Sequence, residues 1–310
     1  MTEFIESKPG ESKFPRIIDE FPSPTEKEKL TSQIEEVKLL ISGAGEGLPK
    51  NRARIKLADL YVGRNEPGDY QEAAKLYSEI SSSSLPRDEE HAKALIGKAE
   101  LALRSPDTAE IDVAIYSCGK ALDLLKKDKR GFFWGKGNIL LAELLLKKES
   151  EEDKRSALEI YEDIASHPEV HKYFKMRAAV GKLEVLYHFF RDLLKDKAGG
   201  AIAECESSLL PFRDKRANDY FYLKGMTVLS EVMLWKDKKQ FGDKAKKMLQ
   251  EVANNESAGD DLRARASLDL AEGSSPSLAK TLIKGVKQME GLDPYLLKKA
   301  KAIEDALPPR

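Results

Sequence analysis

Small residues recur in this chain on a fixed ruler. Ala58 to Ala73, Ala99 to Ala114 and Ala142 to Ala157 are each 15 residues apart, as is Ser230 to Ala245; Leu186 to Ala201 keeps the distance with a larger first member. The second members, at 73, 114, 157, 201 and 245, follow one another by 41, 43, 44 and 44 residues. Four positions after each stands Tyr77, Cys118, Tyr161, Cys205 or Leu249. A sixth pair is tighter: Ser267 to Ala279 spans 12 residues, Ile283 takes the slot behind it, and the step from Ala245 to Ala279 is 34. The spacing has a physical reading. Helix backbones approach closely only where side chains are short, and a larger side chain one turn away fills the gap beside them. The ruler therefore marks one helix pair, made six times.

The stretch Asn51 to Ile80 shows the unit most plainly. Ile55, Leu57, Ala58, Tyr61 and Val62 fall at helical spacings, then Asn65-Glu66-Pro67-Gly68 supplies turn residues, with Pro presetting φ and Gly tolerating positive φ. Tyr70, Ala73, Tyr77 and Ile80 then mark one face of a second helix. Leu57-Ala58, Tyr61, Ala73 and Tyr77 resemble the signature of the tetratricopeptide repeat, although Arg54 stands where that family has its leading Trp. The usual repeat is 34 residues long, so most units here read as lengthened versions with extra residues in the turns. HEAT or Sel1-like hairpins are the alternative. The expected fold is all-α: an α-solenoid of about six helix-turn-helix units with a capping helix at each end.

On this reading residues 23–310 form a single array behind a tail over 1–22. The tail is polar and Pro-bearing, save for Phe14, Ile17, Ile18 and Phe21, which could pack on the array or serve as a docking segment. Ser23-Pro24-Thr25-Glu26 reads as a helix start, and Leu30, Ile34, Val37 and Ile41 make a stripe for an N-terminal cap whose outer side should be polar. Asp293-Pro294 starts a last helix, with Leu296, Leu297, Ala300, Ile303 and Leu307 on it and Lys298, Lys299 and Lys301 toward solvent. Between them the units run over about 88–125, 134–165, 173–210, 217–252 and 260–289, with Ser105-Pro106-Asp107 and Lys147 to Arg155 as turns and a basic run from Lys126 to Arg130.

Composition limits the function. Hydrophobic residues make up 41% and charged ones 34%, a mixture suited to thin helical layers with much solvated surface. Net charge is −1, with 52 basic and 53 acidic residues, so the long-range positive field of a general nucleic-acid binder is missing and no nucleic acid is expected. No apolar run reaches bilayer length, so no membrane insertion is expected. MTEFIESKPG lacks the basic and apolar regions of a signal peptide, which for a complete chain predicts a cytoplasmic protein; one from which a secretion leader had been removed would read the same. Cys118 and Cys205 share one packing slot two hairpins apart, too far to bridge, and read as small buried hydrophobes.

Catalytic signatures are weak. Gly135-Lys136-Gly137 has Arg130 and Gly137 where a phosphate loop needs Gly and Ser or Thr, and no strand precedes it. Gly43-Ala44-Gly45-Glu46-Gly47 follows a helix and reads as a turn. His167 and His171 are four apart, but Pro168 puts the first at or before a helix start, and no third ligand is near. His91 and His188 have no partner that spacing reveals. Glu151-Glu152-Asp153 reads as a solvated charged turn. No catalytic residue, metal or cofactor is expected, and the chain is read as a non-enzyme.

The resemblance implies where a partner would sit. In that family the first helices of successive hairpins line a concave groove that holds a peptide or helix. Positions six before the first ruler residue are Arg52, Lys93, Lys136 and Lys224; seven later come Asp59, Glu100, Glu143 and Glu231. The fourth unit breaks both rows with Val180 and Tyr187. The groove should carry a basic and an acidic rail, interrupted by an apolar patch where Tyr187 and Phe190 would anchor a partner. The plainer reading is that these charges pair between neighbouring units on a solvated face. Docking of chaperone C-termini, which needs asparagines and basic groups, is not expected with Asp59, Glu100 and Glu143 in place. The function that follows is an adaptor or scaffold binding a protein or peptide. The alternatives are a ligand-binding or enzymatic protein with a pocket near Tyr187, Phe189 and Trp235, and a self-assembling protein stacking end helix on end helix.

Overall fold

The computed structural model describes residues 24–45, 47–82, 89–103, 108–126, 131–214 and 219–308. The expected tail over 1–22, the Ser105-Pro106-Asp107 turn and most of the basic run lie outside them. The described residues hold fourteen α-helices and no strand. In order these are α1 (Pro24–Gly43), α2 (Leu48–Arg64), α3 (Asp69–Ser81), α4 (Glu89–Leu103), α5 (Thr108–Leu124), α6 (Phe132–Leu146) and α7 (Glu151–Ser166). There follow α8 (Lys172–Phe189), α9 (Arg191–Leu209), α10 (Tyr220–Lys236), α11 (Lys238–Ala253), α12 (Gly259–Glu272), α13 (Pro276–Lys287) and α14 (Pro294–Asp305). Helices pack on their neighbours in the chain, and first helices also touch, α2 on α4, α4 on α6, α10 on α12 and α12 on α14. This is an all-α, solenoid-like repeat arrangement. The described residues fall into two compact units, one within Phe21–Phe174 and one within Lys175–Arg310, here called the first and second stacks.

In the first stack the ruler residues lie where helices meet. Ala58, Ala73, Ala99, Ala142 and Ala157 are fully buried, and Tyr77, Cys118 and Tyr161 are buried in the slots behind them. Two glycines carry the closest approaches. A Cβ at Gly97 would stand 2.4 Å from the Tyr77 ring, and one at Gly135 would stand 2.5 Å from Phe174. The Gly135-Lys136-Gly137 run is thus helix interior packed on a neighbour. The turn between α2 and α3 uses left-handed backbone at Asn65 (φ 55°) and Gly68 (φ 91°), and Arg64 at the end of α2 grips Asp69 at 2.6 Å. The charged segment 147–155 is only partly a turn. Ser150 caps α7 by accepting from the Asp153 amide, so Glu151, Glu152 and Asp153 occupy the first helical turn, where the helix dipole favours anions. On α1, Ile34 and Val37 face inward, while Leu39 and Leu40 are exposed on the side expected to be polar.

The second stack departs from the ruler at one place. Phe190 alone separates α8 from α9, so α9 begins early and its inward stripe is Leu194, Ala198, Ile202, Cys205 and Leu209. Ala201 is only half-buried, because the helix is turned so that Ile202 faces inward in its place. Elsewhere the ruler returns: Ser230, Ala245 and Ala279 are fully buried. Ser230 satisfies its hydroxyl on the Met226 carbonyl at 2.7 Å. Gly225 lets α10 approach α8 and α9, since a Cβ there would meet Leu209 at 2.7 Å and Val180 at 2.8 Å. Asp293 caps α14 by accepting from the Tyr295 amide, and its own amide donates to Asp261 on α12 at 3.0 Å.

Candidate functional site

The first helices of the first stack carry the expected charges, and the structure joins most of them to neighbours. Arg52 on α2 reaches Glu90 on α4, Nε to Oε1 2.7 Å, with the arginine exposed and the glutamate buried. Lys136 on α6 reaches Glu100 on α4 at 2.6 Å, both half-exposed. Lys93 pairs with Glu89 one turn back at 2.7 Å, and its ammonium stands 4.7 Å from the centre of the Phe133 ring. Asp59 accepts a hydrogen bond from Tyr77 Oη at 2.5 Å. Crowding by surrounding groups holds the Asp59 carboxyl above the usual range, although part of the residue is open to water. Glu143 is half-buried on α6. Beside this face Phe132 is exposed and meets Phe133 and Phe174 edge-on, at 5.5 and 4.9 Å between ring centres.

In the second stack the same helix positions are less exposed, the Lys224 side chain at 17% and Glu231 at 9%. Lys224 on α10 pairs with Glu184 on α8 at 2.7 Å. Glu231, two turns along α10 from Lys224, takes a two-pronged grip from Arg265 on α12, Nε and Nη2 each at 2.6 Å. Arg265 also reaches Glu184 at 3.2 Å and lies 3.3 Å from His188 Nε2. One turn along α12, Asp269 binds Lys299 of α14 at 2.5 Å, and Lys299 extends to Glu272 at 3.3 Å. The side chains of Glu184, Glu231, Arg265 and Asp269 are all at most 9% exposed.

Burial and pairing pull these groups in opposite directions. Burial alone would raise Glu231, but Arg265 outweighs it and brings the carboxyl down to about 2. Glu184 is likewise lowered against burial by Lys224 and Arg265. Asp269 is pushed up to about 7, by burial first, with Glu231 adding to it against the pull of Lys299. Burial and the Arg265 charge push His188 down to about 4. The cost of burial would lower Arg265 and Lys299, yet their carboxylates hold both above their ordinary values.

Tyr187 packs edge-on against Trp235 at 6.0 Å and lies under the Arg191 guanidinium at 4.5 Å, with its phenol pushed up to about 12 by burial. Phe190 is buried at the α8–α9 junction, so its ring is part of the core and offers no exposed anchor. Sequence reasoning missed Glu184, Arg265, Asp269 and Lys299 as one group. The available signal was i,i+4 spacing along one helix, Glu184 with His188 and Arg265 with Asp269. It also left Glu90 out, which lies one turn from the Lys93 row. His167 and His171 lie in the link between α7 and α8. The His167 ring rests near Trp134 at 5.8 Å, and His171 Nδ1 accepts from the Tyr173 amide.

The cysteines are buried, and burial raises both thiols, Cys118 to about 12. Among the described residues, no group of three or more His, Cys, Asp or Glu is arranged to hold a metal ion, and no helix is long and apolar enough to cross a membrane. No protein-family model matches the chain, and no curated protein matches it significantly.

Proposed function

We propose that the chain is a tetratricopeptide-like interaction module, a non-catalytic adaptor or scaffold that binds a peptide or helix of a protein partner. The face of α2, α4 and α6 is the binding surface. The observation that carries the reading is the set of half-exposed charges on that face, Lys93, Glu100 and Lys136, standing beside the exposed ring of Phe132. An accessible aromatic flanked by oriented charges is what a partner helix needs for an anchor and a register. The residues of the second stack serve this function less well, because Glu231 and Phe190 are buried among their own helices. Binding of a small ligand near Tyr187 and Trp235 is the second reading. It draws on the cluster of shifted groups at Glu231, Asp269 and His188, since such clusters mark functional sites as well as structural ones.

The test begins with capture of partners by the purified chain and cross-linking of the captured complex. Cross-links should map to α2, α4 and α6. Phe132→Ala combined with Lys93→Glu should reduce capture at least tenfold and leave the thermal midpoint nearly unchanged. Cross-links confined to other surfaces, or capture unaffected by the variant, would remove the reading.

A further inference from the structure

The described array opens and closes on half a hairpin. On α14, Ala300 is fully buried and stands 33 residues after Ser267, so it continues the first-helix ruler. α14 also packs on α12 and α13, as α12 packs on α10 and α11. It is a seventh first helix, and among the described residues no helix follows it. One residue registers the gap. Three positions before the ruler residue stand Ile55, Ile96, Ile139, Leu183, Thr227 and Ala264, and every one of them is buried. The second helix helps to cover them. Ile55 shares a core cluster with Ala73, Tyr77 and Ile80 of α3, and Ala264 shares one with Ala279, Ile283 and Val286 of α13. The same position on α14 is Leu297, and it is 44% exposed.

α1 is the opposite half. Leu30, Ile34 and Val37 repeat the spacing of Ala73, Tyr77 and Ile80 on α3, 43 residues earlier, and α1 packs on α2 as α3 packs on α4. It is a second helix, and among the described residues no first helix precedes it. The side that such a helix turns toward its own first helix is marked on α3 by Glu79, which reaches Arg54 of α2 at 3.5 Å. Glu36 holds that position on α1, and Leu40, one turn further along the same side, is 58% exposed. An exposed leucine beside an acidic residue on α1 thus matches an exposed leucine beside a basic one on α14, where Lys301 follows Leu297 by one turn. We propose that α1 of one copy docks on α14 of another and completes a seventh hairpin across two chains, with Leu40 covering Leu297 and Glu36 facing Lys301. Each copy carries both halves, so the contact is heterologous and propagates from chain to chain into rings or open rows.

Sedimentation of the full chain from about 1 μM to about 1 mM tests this. The average mass should rise with concentration. Leu40→Lys and Leu297→Lys each put an ammonium into the apolar contact and should weaken self-association by about tenfold or more. Both leucines are exposed in the single chain, so helix content and thermal midpoint should stay at wild-type values. Mixed in equal amounts, the two variants should form pairs that grow no further, because one keeps its α14 and the other its α1. A wild type that stays monomeric throughout would overturn the proposal, as would a variant that assembles like the wild type. A mixture no more associated than its components would also overturn it, because the two faces would then not be meeting each other. Should a lysine variant fail to fold, Leu40→Ala and Leu297→Ala make the same comparison with a smaller disturbance.

Discussion

Lys136 and Arg265 stand on first helices of different hairpins, and each reaches back to a glutamate on the first helix of the preceding hairpin. Lys136 meets Glu100 at 2.6 Å with both side chains about a third exposed, 27% and 32%. Arg265 meets Glu231 at the same distance with both at 9%. One pattern thus has two physical meanings. In the first stack the pair is a surface rail, screened by water and salt and free to exchange partners. In the second it is a joint whose partners have given up their hydration and must keep each other. The difference comes from the neighbours. Glu184, Asp269 and Lys299 surround Arg265 with further charges and two more helices, α8 and α14, whereas Lys136 has Glu100 and the exposed Asp59 near it.

The largest expected effect tests that contrast directly. Arg265→Ala leaves Glu231 and Glu184 short of their cation and should cost about 3–5 kcal/mol, read from urea unfolding. Arg265→Met with Glu231→Leu should recover most of the loss, because the unpaired charge leaves with its partner. A cost for Arg265→Ala below about 1 kcal/mol would put both stacks in the surface class and end the distinction.

Close packing should be common to both stacks, which sharpens the contrast by confining it to charge. Gly97→Ala drives a methyl into the Tyr77 ring at 2.4 Å, and that ring is pinned by its bond to Asp59. Gly225→Ala meets Leu209 and Val180 at 2.7 and 2.8 Å. Each should cost about 1–3 kcal/mol by overpacking. Gly119 has open space around its would-be Cβ, so Gly119→Ala should instead stabilise the helix by about 0.5–1 kcal/mol.

How much of this was legible beforehand follows the physics of each feature. Helix pairs were legible because small residues at close contacts leave a periodic trace: Ala58, Ala73, Ala99 and Ala157 could be placed by counting and are fully buried. Ala201 could not, because the one-residue link at Phe190 turns α9, and a turn's length shows in a sequence only where Gly or Pro marks it. The rails were legible as rows, since seven residues return to one face of a helix. Their burial was not. Glu100 and Glu231 look alike in sequence, and which one water reaches depends on groups from helices far along the chain, such as Arg265.

Acidification should separate two groups of the second stack that oppose each other. His188 is lowered to about 4 in the folded protein, so the unfolded chain takes its proton first. The stability it supports is present above about pH 6.5 and is lost as pH falls toward 4. Asp269 is raised to about 7, so its contribution is complete below its unfolded value and is lost as pH rises through 7. Between about pH 6.5 and about pH 4.5 the two trends run against each other and the wild type should vary little. His188→Gln should grow more stable on acidification over that range, and Asp269→Asn less stable, in urea midpoints taken at constant ionic strength. Profiles that match the wild type would show that these groups do not govern the second stack.

The smallest effect belongs to the first stack. A double-mutant cycle on Lys136→Ala and Glu100→Ala should give a coupling of about 0.2–1 kcal/mol, falling toward zero in about 1 M salt, where screening acts over about 3 Å. The same salt should leave the Arg265–Glu231 coupling largely intact, because water and ions do not reach a pair that is 9% exposed. A weak, screened coupling at Lys136 is also what a binding face requires. A charge that costs little to release from Glu100 can be offered to a partner, whereas Arg265 cannot be released without unsettling its own stack. A Lys136–Glu100 coupling above about 2 kcal/mol that persists in salt would make this pair a joint as well, and would take the rail out of the binding surface.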